Sequence, residues 1–264
     1  MKLPVLRERV LSAFVIVPVM LWAFYAGGWG FLLVIAIIAT FTSMEYRKLL
    51  ANVGVEIELV FVPVCVLVAL SGYAGRPYFF VAALTGGALV LLSSSLKRGA
   101  PSAMYSVAGE MYLGGLLGTL CLLRVGPGGK QWTLFILFVT WATDVGAYFG
   151  GRVFGHHKLA PSISPGKSWE GAISGFCAAV AVAGFVGRLW GFAPVFSLLA
   201  GAILAILAEV GDLVESVLKR HCNVKDSGKV IPGHGGFLDR FDSLLFTSAG
   251  GLLIRSIHRM LFYS

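Results

Sequence analysis

Residues 216–242 read SVLKRHCNVKDSGKVIPGHGGFLDRFD, a polar and glycine-rich stretch between two strongly apolar ones. Lys219, Arg220, Lys225, Lys229 and Arg240 supply cations, Asp226, Asp239 and Asp242 supply carboxylates, and His221 and His234 can titrate. Pro232 and glycines 233, 235 and 236 let backbone come close to a ligand. Asp239 and Asp242 stand three apart where the next apolar run begins, so on a helix they share a face. Cations suit phosphate and carboxylates suit a hard metal, which together describe phosphate chemistry on a metal. The plainer alternative is a solvated loop of balanced charge.

All five aspartates lie in the second half of the chain, at 144, 212, 226, 239 and 242. Asp144 sits inside an apolar run, TWATDVGAYFGGR. A charge at mid-membrane costs roughly 2.5–3.5 kcal/mol on insertion scales, so such a group is functional or paired. Glu209, Asp212 and Glu215 recur every three residues along another apolar run, and a divalent cation, a basic partner or water must offset their burial. If the two helices are antiparallel neighbours, Asp212 and the pair Asp239 and Asp242 can converge near the cytoplasmic face. An oxygen-rich set with few histidines favours Mg2+ over Zn2+. Between these runs, residues 150–171 offer Arg152, His156, His157, Lys158, Lys167 and several hydroxyls. Gly166-Lys167-Ser168 is not a P-loop, because Pro161 stands where that pattern needs glycine. What survives is a basic, hydroxyl-rich loop able to hold phosphate.

The elements that position these groups are membrane helices. Hydrophobic residues make up 57% of the 264 and charged residues 13%, against roughly 25% charged in soluble domains. The apolar runs are about long enough to cross a ~30 Å hydrocarbon core. The expectation is an all-α polytopic membrane protein with about nine spans: 10–25, 29–44, 59–74, 78–94, 103–123, 133–149, 172–190, 195–218 and 244–262. About five lie within 1–130, a structural and lipid-facing region. About four lie within 131–264, a catalytic region with polar loops 150–171 and 219–242. The first run reads as an uncleaved span rather than a signal peptide, since no small-residue cleavage site is evident. In this topology the N-terminal side carries 15 of the 21 lysines and arginines, which puts the N-terminus and both polar loops in the cytoplasm. The net charge of +8 is spread over short loops, so lipid headgroups or a phosphorylated ligand explain it better than nucleic acid.

The first half is chemically quiet. Glu8, Glu45, Glu56 and Glu58 fall near span ends or in loops, and Glu110 is its one acid inside a span. Gly114 and Gly118 read as a helix-packing pair. Cys65, Cys121, Cys177 and Cys222 have no metal-ligand spacing and take no role.

Ser216 to Asp242 resembles the signature of the phosphatidate cytidylyltransferase (CDP-diacylglycerol synthase) family. The matching positions are Ser216, Leu218, Lys219-Arg220, Lys225-Asp226, Gly228, Ile231-Pro232, His234-Gly235-Gly236-Phe237 and Asp239-Arg240-Phe241-Asp242. The upstream run from Ser164 to Gly171 is similar to a segment of the same family. The resemblance is close over 140–245 and of low detail elsewhere. It implies cytidylyl transfer from CTP to phosphatidate, giving CDP-diacylglycerol and pyrophosphate, with Mg2+ alone or with a second cation. On that reading Asp212, Asp239 and Asp242, with Lys219, Arg220 and His234, are catalytic. Lys167, Ser168, Lys219, Arg220, Lys225, Arg240, Gly235 and Gly236 hold substrate phosphates. Asp212, Asp239, Asp242 and Asp144 hold the metal. The partners are CTP, phosphatidate and membrane lipid, with no nucleic acid, and a homodimer is compatible with so small a membrane enzyme. The lack of organelle signals points to a prokaryotic cytoplasmic membrane. Two rivals are a CTP-dependent lipid kinase, releasing CDP, and an ion-coupled transporter using the intramembrane acids.

Overall fold

The computed structural model describes residues 3–228, 230 and 235–262, with side chains from 14 to 261 within that range. The regular elements among these residues are helices and one two-stranded hairpin, and the chain divides into two compact units. The first comprises Met1–Lys130 with Leu218–Phe241, and the second Gln131–Val217 with Asp242–Ser264. The polar loop read from sequence with the C-terminal helices therefore packs within the first unit.

In the first unit, α1 (Leu3–Ala26) and α2 (Gly28–Ala51) meet at a turn that depends on Gly27 and Gly28, whose φ angles are 70° and 59°. Side chains rarely adopt that region, so the glycines permit a reversal without intervening loop. The short α3 (Phe61–Ser71) packs against α2, α4 (Pro77–Ser94) and the rod that follows. That rod runs from α5 (Ala100–Gly109) through a π-helical turn, Glu110–Gly115, into α6 (Leu116–Arg124). Helices in lipid gain little from the hydrophobic effect between themselves, so close approach of small residues carries the packing. A Cβ on Gly114 would lie 3.0 Å from the Cys65 carbonyl oxygen, and one on Gly118 2.2 Å from the Phe80 ring. The packing role read for Gly114 and Gly118 is the one they have. Cys65, Cys121, Cys177 and Cys222 are free thiols.

The second unit holds α7 (Gly129–Phe154) from Gln131 onward, an antiparallel pair β1 (Lys158–Ala160) and β2 (Ser164–Ser168), and α8 (Trp169–Leu189). To these it adds α9 (Pro194–His221) up to Val217 and α10 (Leu238–Phe262) from Asp242. The hairpin is the departure from an all-α expectation, and the Ser168 side chain ends it by accepting from Gly171 N at 3.1 Å, capping α8. Glycines again set the helix distances. A Cβ on Gly175 of α8 would meet the Thr143 carbonyl oxygen of α7 at 2.7 Å, and one on Gly211 of α9 the Asp242 carbonyl oxygen of α10 at 2.7 Å.

Among the described residues, six helices are long and apolar enough to cross a membrane: Gly28–Ala51, Pro77–Lys97, Ala100–Arg124, Gly129–Phe154, Trp169–Leu189 and Pro194–His221. Phe14–Ala26 and Phe61–Ala74 are shorter apolar helices.

Candidate functional site

The second unit gathers carboxylates around one lysine. On α9 the three-residue spacing places Asp212 and Glu215 on one face, and the close approach at Gly211 brings Asp242 of α10 to them. Oxygens of Asp212, Glu215 and Asp242 lie within 4.8 Å of one another. Glu215 is fully buried and Asp242 nearly so. Ser243 N donates to Asp242 Oδ1 at 2.7 Å, which fixes that carboxylate against its own helix. Lys167 reaches in from β2, its Nζ 2.7 Å from Glu209 Oε2 and 3.0 Å from Asp212 Oδ2. Burial works against the Lys167 charge, but the carboxylates of Asp212 and Glu209 outweigh it and hold the ammonium above its usual range. Asp144 of α7 accepts from Ser243 Oγ at 3.4 Å and lies in electrostatic reach of Asp212, Glu209 and Lys167.

Three oxygen-only ligands, two of them buried, fit a hard divalent cation, and the group contains no cysteine or histidine to favour a softer one. Asp212 and Asp242 thus come together as the sequence spacing implied. Glu215 completes the group, a residue whose place in the Glu209-Asp212-Glu215 row was visible but whose ligand role was not assigned.

In the first unit, the loop after α9 is held by a second carboxylate system. Asp239 Oδ1 accepts from Lys219 Nζ at 2.6 Å, and Oδ2 accepts from Ser227 N at 2.9 Å, Ser227 Oγ at 3.0 Å and Gly236 N at 2.8 Å. Both side chains of the Lys219–Asp239 pair are largely buried. Gly235 has φ 81°, and a Cβ there would fall 2.9 Å from Asp239 Oδ2, so glycine meets both a backbone and a space requirement. Asp239, read from sequence as a metal ligand, is here the acceptor that closes the loop on itself. Lys219, read as a phosphate ligand, is its ion-pair partner.

The remaining cations divide. Lys225 and Arg240 are exposed. Arg220 is exposed and donates to the Val224 carbonyl at 3.0 Å. Gly236 N donates to the Asp239 carboxylate and Ser168 Oγ accepts from Gly171 N, so both of these proposed phosphate contacts have partners within the protein. Lys229, Ile231, Pro232, Gly233 and His234 lie outside the described residues.

Sequence reasoning passed over Glu45. It is 2% exposed on α2, and accepts from Ser227 Oγ at 2.8 Å, Phe237 N at 2.9 Å and Leu238 N at 2.8 Å. One acid near the end of an apolar helix carries no local signal of partners some 190 positions away. A hint lay in Gly228 and Gly236, glycines of the signature whose absent side chains leave room for it.

Apolar helices of membrane-crossing length and a group of carboxylates that could hold a metal ion, beside a lysine, mark a membrane protein with an acidic candidate site. Residues 7–257 match the cytidylyltransferase family. The phosphatidate cytidylyltransferase of Brucella suis biovar 1 is 37% identical over 256 residues, covering 92% of this chain and 91% of its own. That of Pseudomonas aeruginosa is 35% identical over 258 residues (90% and 93%), and that of Staphylococcus haemolyticus 31% over 257 (91% and 95%). The chain belongs to the cytidylyltransferase family and is a nucleotidyltransferase of lipid biosynthesis.

Proposed function

We propose that the protein transfers the cytidylyl group of CTP to phosphatidate, giving CDP-diacylglycerol and pyrophosphate. The observation that carries this reading is similarity to phosphatidate cytidylyltransferases over nine-tenths of the chain, with Asp242, Asp239 and Lys219 of the signature engaged in two largely buried networks. A phosphatidate oxygen attacks the α-phosphorus of CTP and the bond to the β-phosphate breaks. That oxygen is already anionic, so positioning and charge neutralisation do most of the work. Asp212, Glu215 and Asp242 are the residues that would hold Mg2+, with Asp144 beside them. The ion would neutralise phosphate charge on the reacting nucleotide.

Lys167 keeps Glu209 and Asp212 in place and balances their charge. Arg220, Lys225 and Arg240 are the cations offered to phosphate. Asp239 acts through the loop it closes, with Lys219 as its counter-charge. The apolar helices span the membrane, nine in all on the sequence reading. The lysine and arginine bias favours a cytoplasmic N-terminus and cytoplasmic polar loops in a bacterial inner membrane. The partners on this reading are CTP, phosphatidate and membrane lipid, without nucleic acid, and a homodimer is compatible with it.

The test is product analysis with purified protein in detergent, phosphatidate, Mg2+ and CTP labelled at the α-phosphate. Label entering lipid, with pyrophosphate released, is the expected result. Label recovered in CDP would instead identify a lipid kinase, and unchanged CTP across several lipids would remove the transferase reading.

A further inference from the structure

We infer that Glu45 is a positioning residue for the nucleotidyl transfer, clamping the polar loop at Ser227 and at its junction with α10 from α2. The inference rests on the reading of that loop as part of the transferase.

Three observations carry it. First, the donors to the Glu45 carboxylate among the described residues all come from the loop and the start of α10: Ser227 Oγ, Phe237 N and Leu238 N. Phe237 N lies just before α10 and Leu238 N is its first amide, groups with no partners within the helix, so Glu45 caps α10 from a different helix. Burying a carboxylate is costly unless donors replace its water, and an apolar residue would serve plain helix packing better.

Second, the loop is shaped around this carboxylate. A Cβ on Gly228 would stand 2.4 Å from Glu45 Oε1, and one on Gly236 2.5 Å from Oε2. Gly228 follows Ser227 within the loop, and Gly236 lies just before α10. Phe41, one helical turn before Glu45, stacks on Phe237 with centroids 4.7 Å apart and planes at 14°, so α2 grips the same point twice.

Third, Glu45 is coupled to the signature aspartate. Ser227 Oγ lies 2.8 Å from Glu45 Oε2 and 3.0 Å from Asp239 Oδ2. A hydroxyl has one proton, so the two carboxylates share a single donor. Moving or neutralising Glu45 therefore changes what Asp239 receives, and Asp239 in turn holds Lys219 at 2.6 Å. The line Glu45–Ser227–Asp239–Lys219 ties a residue of the N-terminal half to the signature.

The test compares Glu45→Gln, Glu45→Asp and wild type as full-length protein in detergent, by steady-state kinetics and by amide hydrogen exchange. Glutamine puts an amide NH2 where backbone N–H groups donate, while aspartate keeps the charge. The expected result for Glu45→Gln is a kcat lower by about 10- to 100-fold, the usual effect of losing a residue that orients a ligand. KM for CTP should move less than about threefold, since contacts to bound substrate are not removed. Exchange should quicken across 223–240 with 169–189 unchanged, and Glu45→Asp should recover part of kcat. Wild-type kcat in Glu45→Gln would overturn the inference, as would exchange that quickens throughout the chain with no recovery by aspartate. Should Glu45→Gln fail to fold, a cycle of Glu45→Asp with Ser227→Ala decides: non-additive losses in kcat support the coupling and additive ones overturn it. A wild-type protein that moves no label into lipid defeats the transferase reading itself. Exchange localised to 223–240 would then still identify Glu45 as the loop's clamp.

Discussion

Replacing Lys167 with methionine removes a cation that faces both Glu209 and Asp212, at 2.7 and 3.0 Å. At an effective dielectric of about 20 those distances correspond to attractions of roughly 6 and 5.5 kcal/mol before desolvation. The Lys167 and Glu209 side chains are 18% and 17% exposed, but Asp212 is 37% exposed, so its share is discounted for solvent screening. Stranding a buried charge typically costs about 3–5 kcal/mol, and the lower end fits a half-open pair of this kind. The variant should therefore lose about 3 kcal/mol of stability without divalent cation. Its affinity for Mg2+ should rise, because the ammonium no longer competes for Asp212. A tenfold tighter Kd, about 1.4 kcal/mol, is the expected scale. Titration calorimetry with Mg2+ alone, and the Mg2+-dependent rise in unfolding midpoint, read the two quantities separately. Turnover should fall although metal binding improves. Unchanged or weaker Mg2+ binding in Lys167→Met would refute the placement of metal and lysine on shared carboxylates. The sign with pH is also fixed. The ammonium is held above its ordinary 10.5, so the pair's stabilisation is complete below 10.5 and is lost only as pH rises through the raised value. Stability in the neutral range should not respond to this group.

Glu215→Gln and Asp242→Asn should each weaken the apparent Mg2+ requirement for activity by about tenfold or more, read from velocity against Mg2+ at saturating CTP. Equal Mg2+ curves in variant and wild type would dismiss them as ligands. Gly211→Val should separate α9 from α10, since its Cβ would fall 2.7 Å from the Asp242 carbonyl oxygen and 3.1 Å from Ser243 Cα. The expected cost is about 1–3 kcal/mol with loss of turnover. Glu110→Met removes a carboxylate that is fully buried and whose oxygens have no hydrogen-bond partner among the described residues. It should leave activity intact and stability equal or higher in a detergent unfolding assay, because the carboxyl contributes only its desolvation cost.

How far these features could be read beforehand follows the distance between cause and contact. Helix positions are local consequences of apolar runs, and α1 to α10 fall where those runs lie, with Gly27 and Gly28 at the tight reversal. The Glu209-Asp212-Glu215 row was equally visible, because three-residue spacing on a helix is itself a spatial statement. The hairpin at 158–168 was not. Its second strand contains Pro165 and Gly166, residues that read as loop, and pairing with Lys158–Ala160 supplies what propensity does not. Asp239 shows the reverse. Its importance was legible from the signature, but its donors, Lys219, Ser227 and Gly236, depend on how the loop folds back. Glu45 was out of reach, since its partners come from the other end of the chain.

The first unit is made of two pieces of chain separated by 87 residues of the second, and this has a consequence for biogenesis. Synthesis at about 5–20 residues per second brings out Ser227 roughly 10–40 s after Glu45. Through that interval a carboxylate destined for burial has neither its serine nor its two amides, and α2 must wait hydrated or attended. Completion of the last helices thus acts as a checkpoint on the first ones. A nascent chain arrested before residue 218 should expose that acid to membrane quality control.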